Sequence, residues 1–324
     1  MYSQTTRKTR KFQKFEDNHL QFDFQCKDLI GLTNYRPKIR WLYFTDDNAA
    51  ILGSLHDVDE DSLFLRRPLG EGMELLSELE NQYCKTKKLR ICGLSRNQLI
   101  ELSKKSLYPY EKEAKDAIEA LNNTNTKTDN YFCADSGKYI YRYIYGWQKI
   151  QDFDPHLESS SYSNIRKSVN KAKREGLQFR PAKKQDLPEL EKLYNTWFAQ
   201  SEQKGKKISY KFQDMTDKPP FETYVVTDHD EKLLAWSTIY VKNKYASMPK
   251  RIALSDVSRP ADFMDYNIFC LLNSQGVERI DRSVRLDEQL NNYKSKIMPM
   301  HTEEIFNVIY QHIYKPSASE PHAL

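Results

Sequence analysis

The same order of elements runs twice along this chain. Residues 39–45, 48–55 and 61–67 (IRWLYFT, NAAILGSL, DSLFLRR) are short runs rich in β-branched and aromatic residues and read as strands. A helical run (71–84), a strand (88–94) and a helix opened by the capping residue Ser95 follow. A polar stretch (122–130) then leads to two more strands, NYFCAD and KYIYRYIYGW. The second half repeats the theme. LQFRPA (177–182) is a strand and DLPELEKLYNTWFAQ (186–200) an amphipathic helix. FETYVVTD, KLLAWSTIYVK and RIALSDV read as an antiparallel meander. A helix (261–276), the strand ERIDRSV, a short helix DEQLNNYKSKI and the closing strands EEIFNVIYQHIY complete it. A mixed unit of this length occurring twice implies a duplicated α/β (mixed α+β) domain.

Composition agrees with two domains. The chain has 324 residues, 39% hydrophobic and 29% charged, which a disordered chain does not show. Its net charge of +5 is mild, so local clusters matter more than the total. The cysteines, Cys26, Cys84, Cys92, Cys133 and Cys270, are odd in number and form no CxxC, as expected of a reduced, cytoplasmic protein. The start is basic without an apolar core, so residues 1–14 are expected to be a flexible basic arm rather than a secretory signal. No apolar run reaches the ~20 residues of a membrane helix. HDVDED cannot be a calcium loop, because Ser62 and Pro68 stand where glycine and a bidentate carboxylate are needed. No metal-ligand spacing, HExxH or GxSxG occurs.

A basic cluster stands at NIRKSVNKAKREGLQFR, 164–180. Ile165, Val169 and Ala172 fall at helical spacing, with Arg166, Lys167, Lys171, Lys173 and Arg174 between them. From 164 to 184 there are eight basic residues and one acid, Glu175. Such a helix is either a solvated face or an anion-binding one. YIYRYIYGW places four tyrosines on one strand face, for packing or for base stacking.

Three segments carry a resemblance. The basic helix at 164–180, the strands KLLAWSTIYV and RIALSDV, and the ending GVERIDRSVRLDEQLNNYKSKIMP are similar to the tandem-GNAT acyltransferases. Within that group they resemble the FemAB-type aminoacyl transferases and the soluble C-terminal domain of the phosphatidylglycerol lysyltransferases. The resemblance implies two GNAT-like units, each a mostly antiparallel central sheet flanked by helices. These are expected at 15–147 and 164–316, joined by a linker at 148–163 and followed by a disordered tail at 317–324. It further implies transfer of an acyl or aminoacyl group to an amine by direct attack, with no metal. The donor is aminoacyl-tRNA or an acyl thioester such as acyl-CoA as co-substrate; no cofactor is expected to be tightly bound. The acceptor is a small amine, a peptide or a lipid headgroup. Tyr293 falls where many GNAT enzymes place a proton donor, unless it packs on the sheet. Lys294 would face a phosphate or an oxyanion. Asp256 would be a general base, or would cap the next helix or pair with Arg259. The glycine-rich pyrophosphate loop of that fold is absent from SDVSRPADFMDY. A matching string, RPLGEG, stands in the first half with Arg67, Gly70 and Gly72, as a donor cradle or a simple turn. A non-catalytic degenerate module binding tRNA or an acyl-carrier or CoA ligand is the rival from another class.

Overall fold

The computed structural model describes residues 2–7, 9–19, 39–56, 59–122, 130–203, 222–242, 244–253, 259–285 and 294–310. They form two units. Unit 1 holds the described residues up to Ile144 and resumes at Glu304; unit 2 runs from Tyr145 to Glu303.

In unit 1 the strands are β1 (Ser3–Thr5), β2 (Ile39–Thr45), β3 (Ala49–His56), β4 (Asp59–Arg66), β5 (Leu69–Gly70), β6 (Lys88–Leu94) and β7 (Asn130–Cys133). Strands β8 (Lys138–Lys149) and β14 (His301–Tyr310) begin and end across the unit boundary. The strand order is β1-β2-β3-β4-β6-β14, with β5 on β3 and β7 on β8. The pairs are antiparallel except β4 with β6, which run parallel. A parallel pair needs a crossover, supplied by α2 (Met73–Tyr83). Leu75, Leu76 and Leu79 of α2 are buried in the core with Leu63, Leu65 and Ile91.

Helix α3 (Arg96–Lys105) starts on a complete capping box. The Gln98 N–H donates to Ser95 Oγ at 3.3 Å, and the Ser95 N–H to Gln98 Oε1 at 2.9 Å. A further helix that the sequence reading missed, α4 (Glu111–Asn122), follows. Pro109 separates the two by forcing Tyr108 out of helical geometry. Ala114, Ala117, Ile118 and Leu121 bury one stripe of α4.

Unit 2 holds α5 (Ser163–Arg174), β9 (Gln178–Pro181), α6 (Leu187–Gln203), β10 (Glu222–Thr227), β11 (Leu233–Lys242), β12 (Tyr245–Ala253), α7 (Pro260–Ser274) and β13 (Arg279–Arg285). Its strand order is β13-β12-β11-β10-β9. All these pairs are antiparallel except β12 with β13, again parallel and again joined by a helix, α7. One face of the sheet packs on α5 and α7, through Ile165, Val169, Phe263 and Phe269. The other packs on α6, through Leu190, Leu193, Trp236 and Ile252. The expected mixed fold of mostly antiparallel sheet with flanking helices is therefore present.

Two boundaries differ from expectation. The basic arm expected at 1–14 is not loose where it is described, at 2–7 and 9–14: β1 pairs with β2, and α1 (Arg10–His19) buries Phe12 completely against Tyr43, edge to face at 4.9 Å. The sequence reading weighed the charges there and missed Phe12 and Phe15 between them. Residues 148–163 are not a linker either. Ile150, Phe153, Leu157 and Tyr162 are buried in the unit 2 core, and the Ile150 N–H donates to Glu278 O at 2.8 Å. The tail at 317–324 lies outside the described residues. Phe153→Ala is therefore expected to cost about 3–5 kcal/mol in chemical denaturation, against about 0.5 kcal/mol or less for the exposed Leu107→Ala. A neutral Phe153→Ala would return the segment to a linker.

Candidate functional site

The two parallel strand pairs differ in one respect. In unit 1, β4 and β6 stay paired over consecutive rungs from Ser62 with Lys88 to Arg66 with Cys92. In unit 2 the ladder holds Tyr245 with Arg279, Ala246 with Ile280 and Ser247 with Asp281. Beyond that rung, β12 runs on to Ala253 and β13 to Arg285 without pairing to each other. The strands leave hydrogen-bond register there (the splay), and backbone groups beyond the last rung need other partners. One is visible: the Lys294 ammonium donates to the Arg282 carbonyl. The turn carrying Lys294 is anchored by the buried Gln148, whose Nε2 donates to Lys294 O at 2.9 Å and Met298 O at 2.6 Å.

A buried charge cluster lies on the α7 side of this splay. Asp265 Oδ2 accepts from Arg251 at 2.5 Å and from Arg282 at 3.1 Å. The Arg282 and Asp265 side chains are 1% and 4% exposed, and that of Arg251 is 17% exposed. One carboxylate oxygen thus ties β12, α7 and β13 together. Burial alone would raise the Asp265 pKa; the two guanidiniums outweigh it and hold the carboxyl below its ordinary range. Asp265 Oδ1 and Arg282 Nε have no hydrogen-bond partner among the described residues.

Strand alternation explains two members of the cluster. Ile280 faces α7, so Arg282 does too, while Asp281 points to the other face and accepts from Ser247 at 3.3 Å. Arg251 needs a bulge. Ala246 and Met248 pack on the α7 side, whereas Ile252 packs on the α6 side, which strict alternation forbids. The register shift between Thr238 and Tyr240 of β11 inserts the extra residue and turns Arg251 toward Asp265.

The residues expected from sequence are placed as follows. Lys294 is at the splay. Asp256, three residues past the end of β12, and Tyr293, next to Lys294, lie outside the described residues. On α5, Ile165, Val169 and Ala172 are buried as their spacing required. Arg166 turns back to the carbonyls of Leu157, Glu158 and Ser159 and holds the preceding loop. Lys167, Lys173 and Arg174 are exposed and Lys171 half-buried. Lys171 pairs with Glu175 at 3.5 Å, and Lys173 lies 5.4 Å from the Tyr266 ring centre on α7.

In RPLGEG, Arg67 is buried and β5 pairs Leu69 and Gly70 with Ala50 and Ala49. Gly70 has φ +89°, and a Cβ there would come within 2.4 Å of the Asn48 carbonyl oxygen. A Cβ on Gly72 would come within 2.5 Å of both Ala49 and Pro68. Close packing of the chain on itself accounts for both glycines without a ligand.

Asp265, Arg251, Arg282 and Gln148 were missed from sequence. Asp265 left a signal: it lies on the same helical stripe as Ile268, Phe269 and Leu272, a lone acid on an apolar face.

The family model described as phosphatidylglycerol lysyltransferase, C-terminal, matches residues 148–314. A search of curated proteins gives no match. Among solved structures, L-PGS from Bacillus licheniformis is similar at 14% identity over 85% of each chain, with a TM-score of 0.57. FemX is similar at 10% identity over 94% of this chain and 96% of its own, TM-score 0.58. A conserved protein of unknown function from Bacteroides thetaiotaomicron is similar at 13% identity over 96% and 100%, TM-score 0.64. At these identities the structures show a shared fold. The family match spans just over half the chain and takes in the splayed strands, α7 and the basic helix α5, so this chain belongs to the phosphatidylglycerol lysyltransferase C-terminal family and is an acyltransferase.

Proposed function

We propose that unit 2 transfers an aminoacyl group from aminoacyl-tRNA to a nucleophile on a lipid headgroup. The observation that carries this is the splay of β12 from β13, lined by Arg251, Asp265, Arg282 and Lys294, inside the segment the family model matches. The family's description supplies the lipid. The basic α5 supports a polyanionic donor. An acyl-CoA donor has less support, since Gly70 and Gly72 are used in packing and the unit 2 junction has no glycine.

The reaction is a direct displacement at an ester. The acceptor's hydroxyl or amine attacks the aminoacyl carbonyl carbon, forming the new C–O or C–N bond. The bond to the ribose oxygen breaks, the acceptor loses a proton, and the ribose oxygen gains one. Arg282 and Lys294 set positive charge beside the splay, where it would favour the tetrahedral oxyanion. Asp265 holds Arg282 and Arg251 in place as a positioning residue. Asp256 is assigned as base toward the acceptor and Tyr293 as proton donor to the ribose oxygen. Binding without turnover is the second reading, and the first test below separates the two.

Tyr293→Phe and Asp256→Asn should each lower transfer at least about 100-fold while tRNA affinity and the denaturation curve stay as in wild type. Full transfer by both variants would refute the assignment. Changing Lys167, Lys171 and Arg174 together to Gln should weaken tRNA binding and make its log–log salt slope shallower by roughly 2 to 3; an unchanged slope makes α5 a solvated face. Arg166 is left out because it holds a loop.

Asp265→Asn should destabilise unit 2 by about 3–5 kcal/mol, since two guanidiniums would lose their counter-charge. Because folding depresses the Asp265 pKa, its contribution is full above the unfolded carboxyl pKa. It is lost as pH falls through the folded one. Wild type should therefore lose this stability below about pH 4, and the Asn variant should lack that component of acid unfolding.

A further inference from the structure

Gln148 is a fully buried amide in unit 2, on β8 and two residues before Ile150, which lies in the core with α7. The segment it bonds ends a helical stretch: Lys294 is helical and 295–297 form a turn. Carbonyls at a helix end have no N–H partner within their own helix. Gln148 supplies donors from another strand, with Nε2 bonded to Lys294 O at 2.9 Å and to Met298 O at 2.6 Å. Two acceptors at one nitrogen also decide which end of the amide faces the turn. Ile297 and Met298 seat the same turn in the core.

The side chain of that turn is tied down as well. The Lys294 ammonium donates to the Arg282 carbonyl, and the Arg282 guanidinium donates to Asp265. Lys294 is therefore held at both ends, its backbone by Gln148 and its ammonium by β13. A lysine stem is flexible, so the ammonium keeps one place only while the backbone beneath it is fixed.

Packing alone does not account for an amide at this position. Gln148 Oε1 is buried without a hydrogen-bond partner among the described residues. An orphaned buried oxygen is a cost that an apolar side chain would not bring. What the amide provides in return is the position of the turn.

We propose that Gln148 is a positioning residue for acyl transfer. It fixes the backbone of Lys294 and thereby the ammonium beside the last β12–β13 rung. This rests on the role given above to Lys294 toward the oxyanion, and Gln148 acts through Lys294 alone.

The test is a double-mutant cycle, read in kcat and KM for transfer from charged tRNA, with chemical labelling of Lys294 as a second readout. Lys294→Met should lower kcat about 100-fold, as loss of one oxyanion-stabilising donor does. Gln148→Met should lower it by about 10- to 100-fold through misplacement of that donor, with KM for tRNA within about 2-fold of wild type. In the Lys294→Met background the same change should cost less than about 2-fold, because nothing is left to position. Gln148→Asn keeps the amide but is one methylene short of reaching both carbonyls. Its loss should fall between wild type and Gln148→Met, and it takes the place of Gln148→Met in the cycle if that variant does not fold. Acetic anhydride should label the half-buried Lys294 faster in either Gln148 variant than in wild type, as followed by mass spectrometry. Equal losses in both backgrounds, as a purely structural role would give, would overturn the proposal. So would a raised KM with kcat kept, or Lys294 labelling at the wild-type rate in both variants. A wild type without any transfer would overturn the reaction itself, and the labelling would then decide whether Gln148 sets Lys294.

Discussion

Three segments of unit 2 meet on one oxygen. Asp265 Oδ2 takes Arg251 from β12 and Arg282 from β13, while its own backbone belongs to α7, the crossover between those strands. Two parallel strands that part after Ser247 and Asp281 would otherwise lose their register to each other. The charges are buried, so breaking the cluster is costly, while its net worth against an apolar filling is small. The cluster fixes two guanidiniums where the β12–β13 ladder ends. In the proposed reaction, positive charge held there would stabilise the negative charge that develops during acyl transfer.

Unit 1 answers the same architecture differently. Its parallel strands stay zipped, and its crossover helix α2 also buries a carboxylate, Glu80. There Oε1 is closed off by Ser106 at 2.6 Å and by Tyr310 at 2.5 Å. Burial pushes the Glu80 pKa up, and burial pushes that of the nearby Lys138 down. Lys138 lies 4.2 Å from the Tyr110 ring centre. Burial thus drives both groups toward neutrality, whereas at the equally buried Asp265 two guanidiniums outweigh burial and hold the pKa down. Each unit holds one parallel strand pair joined by a helix, paired over five rungs in unit 1 and over three in unit 2.

Much of this was legible in the chain. Ser95, the α5 stripe and the strand runs are local signals, and local physics decides them. The basic helix was found because Ile165, Val169 and Ala172 repeat at helical spacing while the charges between them do not alternate in sign. What escaped was decided by tertiary context. Phe12 is one aromatic in a basic segment, and only the β2 edge tells it where to go. Ile150 and Phe153 sit in a polar stretch whose burial depends on α7. Arg251 reaches Asp265 through a bulge that alternation cannot reveal. Asp265 itself could have been found, since an acid on an apolar helical stripe requires a partner.

The central claim is that this chain moves an aminoacyl group to a lipid. The direct measurement is to incubate the protein with tRNA charged with a labelled amino acid mixture and with vesicles containing phosphatidylglycerol, then to count label in the organic phase. The account predicts protein-dependent transfer of label into lipid, abolished when the tRNA is deacylated beforehand. Label that stays on tRNA, or leaves it only as free amino acid at the rate seen without protein, would contradict it.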